Sequence, residues 1–174
     1  MTIKSVRWAI MALIVGVLAC NGAAAEALPT PSGEPILSVS GTIAQTNAGA
    51  EALFDRDMLE ALGTVWFETT TPWDKDRVRF EGVPLGRLLD RLGASGSRVI
   101  AVALNDYSAE LPIADIRKHN VLLALKRNGE YMPVRNKGPI FIVYNFDSDP
   151  ELKNQKFYSH SVWNIARLEV RVCL

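Results

Sequence analysis

A chain of 174 residues that is 48% hydrophobic and 22% charged has the proportions of one globular domain, which excludes a disordered polymer, a long coiled coil and a multi-domain machine. Its 19 basic residues balance 19 acidic ones, so the sustained positive field that holds a nucleic-acid backbone is missing.

In chain order, Lys4 and Arg7 precede an apolar run from Trp8 to Ala19, and Ala23-Ala24-Ala25 follow. This is the make-up of a secretory signal peptide over residues 1–25, cleaved after Ala25. A lipoprotein leader is the competing reading, because Val17-Leu18-Ala19-Cys20 resembles a lipobox in which Leu18 fits poorly. Cleavage leaves a mature chain of 149 residues with 17 basic and 19 acidic groups, net −2. Cys173 is then the one remaining cysteine, so an internal disulfide and a thiolate-bound zinc or iron–sulfur site are both excluded. His119 and His160 have no ligand-like spacing and read as surface or hydrogen-bonded residues.

Residues 26–35, with Pro29, Pro31, Gly33 and Pro35, read as an extended tether, and the domain occupies 36–174. Strands are expected over Ile36–Ala44, Thr64–Phe67, Val99–Leu104, Val121–Leu125, Ile140–Tyr144 and Ile165–Val172. One helix is expected after Gly82-Val83, with Pro84 in its first turn. Leu85, Leu88, Leu89 and Leu92 fall on one face, and Gly93 is its stop. A second runs from the N-cap Asp55 through Leu62 to Gly63, and a short turn covers Ala114–His119. Asn128-Gly129 reads as a type I′ hairpin, since both residues tolerate positive φ. The fold class is α+β: mostly antiparallel sheets carrying short helices.

Four segments can carry chemistry. Glu68-Thr69-Thr70-Thr71-Pro72-Trp73-Asp74 offers three hydroxyls for the polar edge of a ligand and an indole for stacking; equally, it can be a strand connection with Trp73 on the core rim. Asn105-Asp106-Tyr107 is either a turn or a clamp in which the Asp106 carboxylate takes adjacent amino and ring N–H donors while Tyr107 packs nearby. Arg135-Asn136-Lys137 is a solvated basic loop or a binder of an anion or polar tail. Tyr158-Ser159-His160-Ser161-Val162-Trp163-Asn164, with Ser159 and Ser161 as its hydroxyls, precedes the last strand, and there Trp163 is a core residue or a ligand platform. No nucleophile elbow, H-E-x-x-H motif or phosphate loop accompanies them, so the sequence offers a pocket and no catalytic set.

The order of short motifs carries a resemblance. Phe80-Glu81-Gly82-Val83-Pro84-Leu85 with Leu88-Leu89 resembles the "F-x-G-V-P-L-x-x-L-L" stretch of the sulfite oxidase-type molybdopterin-binding domain family. Asn105-Asp106-Tyr107 with Leu111-Pro112, then Leu123-Ala124, Asn128-Gly129, Lys137-Gly138-Pro139 and Ser161-Val162-Trp163, continue the likeness over most of the mature chain. The resemblance implies that family's fold. Its enzymes ligate molybdenum through a cysteine in the loop where this chain has Thr69-Thr70-Thr71, and a threonine hydroxyl cannot replace a soft thiolate. The leader also lacks the twin arginine with which exported members leave already loaded.

Both departures resemble the small periplasmic PruR-like pterin-binding regulators. That resemblance implies a periplasmic, non-catalytic protein that binds a free, metal-free reduced pterin. It further implies a partner: the periplasmic domain of an inner-membrane cyclic-di-GMP synthase/phosphodiesterase with GGDEF and EAL domains, through which attachment and motility are balanced. Under it, Trp73, Tyr107 and Trp163 would face the pterin ring and Asp106 its amino edge. Arg135, Asn136, Lys137, Ser159 and Ser161 would take its carbonyl or side-chain hydroxyls. The alternatives are a molybdopterin-dependent oxidoreductase or its accessory subunit, and a module that keeps the old pocket only for docking.

Overall fold

The computed structural model describes residues 27–172; the leader, with its cleavage site and Cys20, and Cys173 lie outside the described residues. The described chain runs β1 (Leu37–Gly41), β2 (Ala52–Phe54), α1 (Arg56–Ala61), β3 (Val65–Thr69), β4 (Val78–Pro84), α2 (Leu85–Arg91), β5 (Arg98–Ala103) and β6 (Ser108–Pro112). It continues with α3 (Ile113–Lys118), β7 (Leu122–Arg127), β8 (Glu130–Tyr131), β9 (Phe141–Val143), α4 (Gln155–His160) and β10 (Ile165–Arg171). One sheet has the order β2-β1-β10-β5-β6; the other has β3-β4-β7-β8, with β9 also paired to β7. Every strand pair is antiparallel except β1 with β10. The α+β expectation of mostly antiparallel sheets with short helices describes this architecture.

Burial explains the elements. β5 alternates, burying Val99, Ala101 and Ala103, whereas Leu122 to Leu125 of β7 and all of β9 are buried on both faces, as apolar runs between neighbours must be. One contiguous core joins residues of both sheets with Leu59 of α1 and Leu85, Leu88 and Leu89 of α2. Gly82 serves a close approach. Its Cα lies against the Leu123 carbonyl and Ala124 of β7, so any Cβ there would overlap backbone, at the point where the β4–β7 register shifts.

The caps follow the expected chemistry. The Asp55 carboxylate accepts from the Met58 N–H at 2.8 Å, and Gly63 (φ 94°) and Gly93 (φ 59°) turn the chain beyond α1 and α2. Asn128 and Gly129 both have positive φ. Pro84, expected inside the first helical turn, instead ends β4 and takes the N-cap position of α2.

Several expectations need correction. Residues 27–35 are extended but do not hang free: Leu28 is buried in the core, the Ser32 and Gly33 N–H groups donate to Asp55 at 2.9 and 2.8 Å, and Asn47 donates to the Pro29 carbonyl. β1 stops at Gly41, well short of Ala44. β2, β4, β6 and α4 were not anticipated, and 113–118 is a helix of six residues. β6 is Ser-Ala-Glu-Leu-Pro, whose pattern is weak and whose place is set by pairing with β5. α4 buries Phe157 alone, too little for an apolar periodicity to show.

Candidate functional site

The loop leaving β3 is fixed from two sides. Thr69 is fully buried, its hydroxyl donating to the Thr70 carbonyl and accepting the Asp147 N–H at 3.0 Å. The Thr70 N–H and hydroxyl donate to the Asp147 carboxylate at 2.8 and 2.7 Å. A hydrogen bond from Lys153, with those from Thr70, holds the Asp147 carboxyl down at about 2 against the opposing cost of desolvation. On the other side the Thr71 hydroxyl donates to Asp74 at 2.8 Å, and Asp74, nearly closed off from solvent, is ion-paired with Arg127 and, at 3.6 Å, with Lys137.

Between these two anchors stands Trp73. Its indole meets Phe141, Phe146, Tyr158 and Trp163 edge-on, with centroids at 6.0, 6.4, 6.2 and 5.4 Å. It is half-buried, so it is at once the rim of the core and one wall of a cleft of about 420 Å³. Its lining comes from three segments: Pro72 and Trp73 after β3, Ala103, Asn105 and Tyr107 at the end of β5 and the turn beyond it, and Gln155, Tyr158, Ser159, Ser161, Val162 and Trp163 of α4 and the residues after it. Every one of these side chains is uncharged.

The polar groups have a definite polarity. Ser159 Oγ donates to the Lys156 carbonyl at 2.7 Å and Ser161 Oγ donates to the Phe157 carbonyl at 3.0 Å, which spends both protons and leaves oxygen lone pairs as acceptors. Asn105 Oδ1 accepts the Tyr107 N–H, leaving its amide N–H₂ as a donor, and the Tyr107 hydroxyl donates to the Ser159 carbonyl at 3.2 Å, bridging two walls. A flat heterocycle with its own N–H and carbonyl groups can be stacked and read by this set.

Of the residues singled out in the sequence, Trp73, Tyr107, Ser159, Ser161 and Trp163 meet in the cleft. The others are placed elsewhere. Thr69, Thr70 and Thr71 spend their hydroxyls inside the protein, pinning the loop. Asp106 sits at φ 64° with its carboxylate turned to solvent and 3.6 Å from Arg167, because the turn that presents Asn105 and Tyr107 to the cleft points the residue between them away. Lys137 is held by Asp74, Arg135 is exposed, and Asn136 borders a separate polar hollow of about 440 Å³ beside Arg127 and Tyr131. Asp74, Asn105 and Tyr158 fell within the segments singled out but were given no role of their own, and Gln155 fell outside them. A signal existed for two of them: Asn154 is an N-cap residue, and a helix begun there puts Gln155, Tyr158 and Ser159 on one face.

Known proteins bear on this arrangement. The oxidoreductase molybdopterin binding domain model matches residues 56–145, which covers β3 to β9 and the loop of Trp73 but stops short of α4 and Trp163. Among solved structures, the sulfane dehydrogenase SoxCD from Paracoccus pantotrophus is similar with a TM-score of 0.57 and 16% identity, over 78% of this chain. The likeness spans 37% of that much longer chain and shows a shared fold. No curated protein matches significantly. With more than half of its length matched in one stretch, the chain belongs to the oxidoreductase molybdopterin-binding domain family.

Proposed function

We propose that the protein binds a free, reduced pterin in the cleft and works as a ligand-dependent regulator without catalysis. One observation carries the reading: a cleft walled by Trp73, Trp163 and Tyr107 whose whole lining is neutral. Its volume falls in the range usual for small-molecule sites. A pterin is flat and uncharged near neutral pH, with an amino–lactam edge suited to serine acceptors and amide donors.

Molybdopterin is the group the family implies, and the residues fit only part of it. The ring system suits the indoles. The remainder does not fit, because the loop that would supply a thiolate holds Thr69, Thr70 and Thr71 with their hydroxyls committed, and the lining offers no cation to a phosphate. Among the described residues no cluster of His, Cys, Asp or Glu could hold a metal ion.

The finer parts of the proposal rest on the family resemblance. The protein works in the periplasm, exported by the leader, and its loaded form docks on the periplasmic domain of an inner-membrane cyclic-di-GMP synthase/phosphodiesterase. What supports docking near the cleft is its rim, where Leu104, Tyr107 and Trp163 are exposed at 55, 49 and 38%. Family membership favours a second reading, an oxidoreductase domain or its accessory subunit. Calorimetric titration separates the two. A neutral pterin should bind with an affinity insensitive to salt, and sulfite and phosphorylated pterins should bind weakly or not at all. Tight, salt-dependent binding of the anions would favour the oxidoreductase reading.

A further inference from the structure

The chain contains two histidines, and both touch the same ring. His119, which closes α3, and His160, the last residue of α4, stand edge-on to Phe157 with centroids at 5.2 and 6.2 Å. Phe157 is the buried side chain of α4, and Lys156 ties the same helix to Asp115 of α3 at 2.8 Å. These two contacts anchor a helix of six residues that, with the segment after it, supplies Gln155, Tyr158, Ser159 and Ser161 to the cleft. The wall of the site and the histidine pair are therefore one mechanical unit.

The surroundings of His160 favour a neutral ring. Its Nδ1 is closed off from solvent and has no hydrogen-bond partner among the described residues, so a proton added there finds no acceptor. Burial, with the Lys156 ammonium on the same helix, pushes its titration below the ordinary histidine range, while Asp115 on α3 and Glu110 on β6 pull the other way. Neither carboxylate is idle: Asp115 holds Lys156, and Glu110 holds Arg98 at 2.8 Å. The remaining titratable neighbour of the Phe157 ring is Tyr144, which burial keeps neutral.

We propose that α4 is a pH-responsive wall, in which protonation of His160 loosens the Phe157 anchor and lowers ligand affinity as the medium acidifies. The inference rests on the reading of the cleft as a ligand site. Its sign follows from linkage. A histidine held neutral by packing contributes to the docked helix above its ordinary range, and that contribution is lost as pH falls through about 6.5 and below. His160 acts here as a positioning residue, since it lines none of the cleft itself.

The test uses the mature chain and 6-hydroxymethylpterin, an oxidised probe whose ring stays neutral between about pH 5 and about pH 7.5, the interval in which histidine titrates. Wild-type affinity should fall severalfold on acidification across that interval. His160→Gln should flatten the profile while retaining the wild-type circular dichroism. Hydrogen exchange of amides 157–162 in the ligand-free protein gives an independent reading: it should accelerate, beyond the intrinsic rate, on acidification. A flat wild-type profile, or a slope unchanged in His160→Gln, overturns the proposal. If neither the probe nor its tetrahydro form binds at any pH the ligand reading falls, and pH-independent exchange in the wild type overturns the α4 mechanism whether or not the variant folds.

Discussion

Replacing Trp163 with alanine separates a ligand platform from a core residue. The indole is 38% exposed and stands edge-on to Trp73 and Phe141, with centroids at 5.4 and 6.3 Å. Such ring pairs contribute about 0.5–1.5 kcal/mol each, so losing two of them costs about 1–3 kcal/mol. For a domain of this size that lowers the melting temperature by about 2–12 °C, a loss a folded protein survives. The bridge between the backbones of Phe141 and Trp163 is untouched by the truncation. A stacked heterocycle loses about 1–3 kcal/mol when its aromatic partner is removed, or about 5- to 150-fold in affinity. Trp73→Ala is the poorer probe, because a side chain meeting four rings carries a core-type cost of about 3–5 kcal/mol and confuses unfolding with lost contact. The assay pairs a thermal melt of Trp163→Ala with calorimetric titration of 6-hydroxymethylpterin. A large drop in melting temperature with unchanged affinity refutes the platform and makes Trp163 a packing residue.

Other expectations follow from the anchors. Asp74→Asn leaves Arg127 and Lys137 without their shared carboxylate; with both cations partly solvated the cost should sit near the low end for a one-sided break, about 3 kcal/mol, and pterin affinity should fall along with the denaturant midpoint. Asp147 is held at about 2 against a usual 3.8, so its contribution is complete above about pH 4 and is lost as pH falls towards 2. Asp147→Asn should therefore melt lower than wild type at neutral pH and show a flatter melting profile over that acid interval; an unchanged acid slope would show that Asp147 holds no part of the fold. Asp106→Asn keeps a residue tolerant of positive φ and removes an exposed ion pair, so affinity should stay within about twofold of wild type. A large loss would return Asp106 to the site.

What could be read in the sequence was whatever one residue or one short turn decides. Asp55 as a cap, Asn128-Gly129 as a turn and the leucine face of α2 are local, and the structure contains each. The indoles Trp73 and Trp163 also stood out, because large aromatic side chains beside hydroxyls and turns are visible without knowing the fold. The direction of the Asp106 side chain was not legible, since it depends on the φ of one turn residue. Nor was the fate of the threonine hydroxyls, which Asp147 and Asp74 claim from distant or neighbouring segments. α4 escaped for a different reason: a helix with one buried residue has no apolar stripe, and its formation depends on the Asn154 cap and on docking beside β6.

The central claim, a metal-free pterin in a neutral aromatic cleft, is met most directly by the contents of the protein isolated from its native host. Released ligand should be identified by mass and fluorescence, with molybdenum quantified on the same sample. The account predicts a stoichiometric, unphosphorylated pterin and only trace metal. Stoichiometric molybdenum, or a phosphorylated dithiolene-bearing pterin, would contradict it.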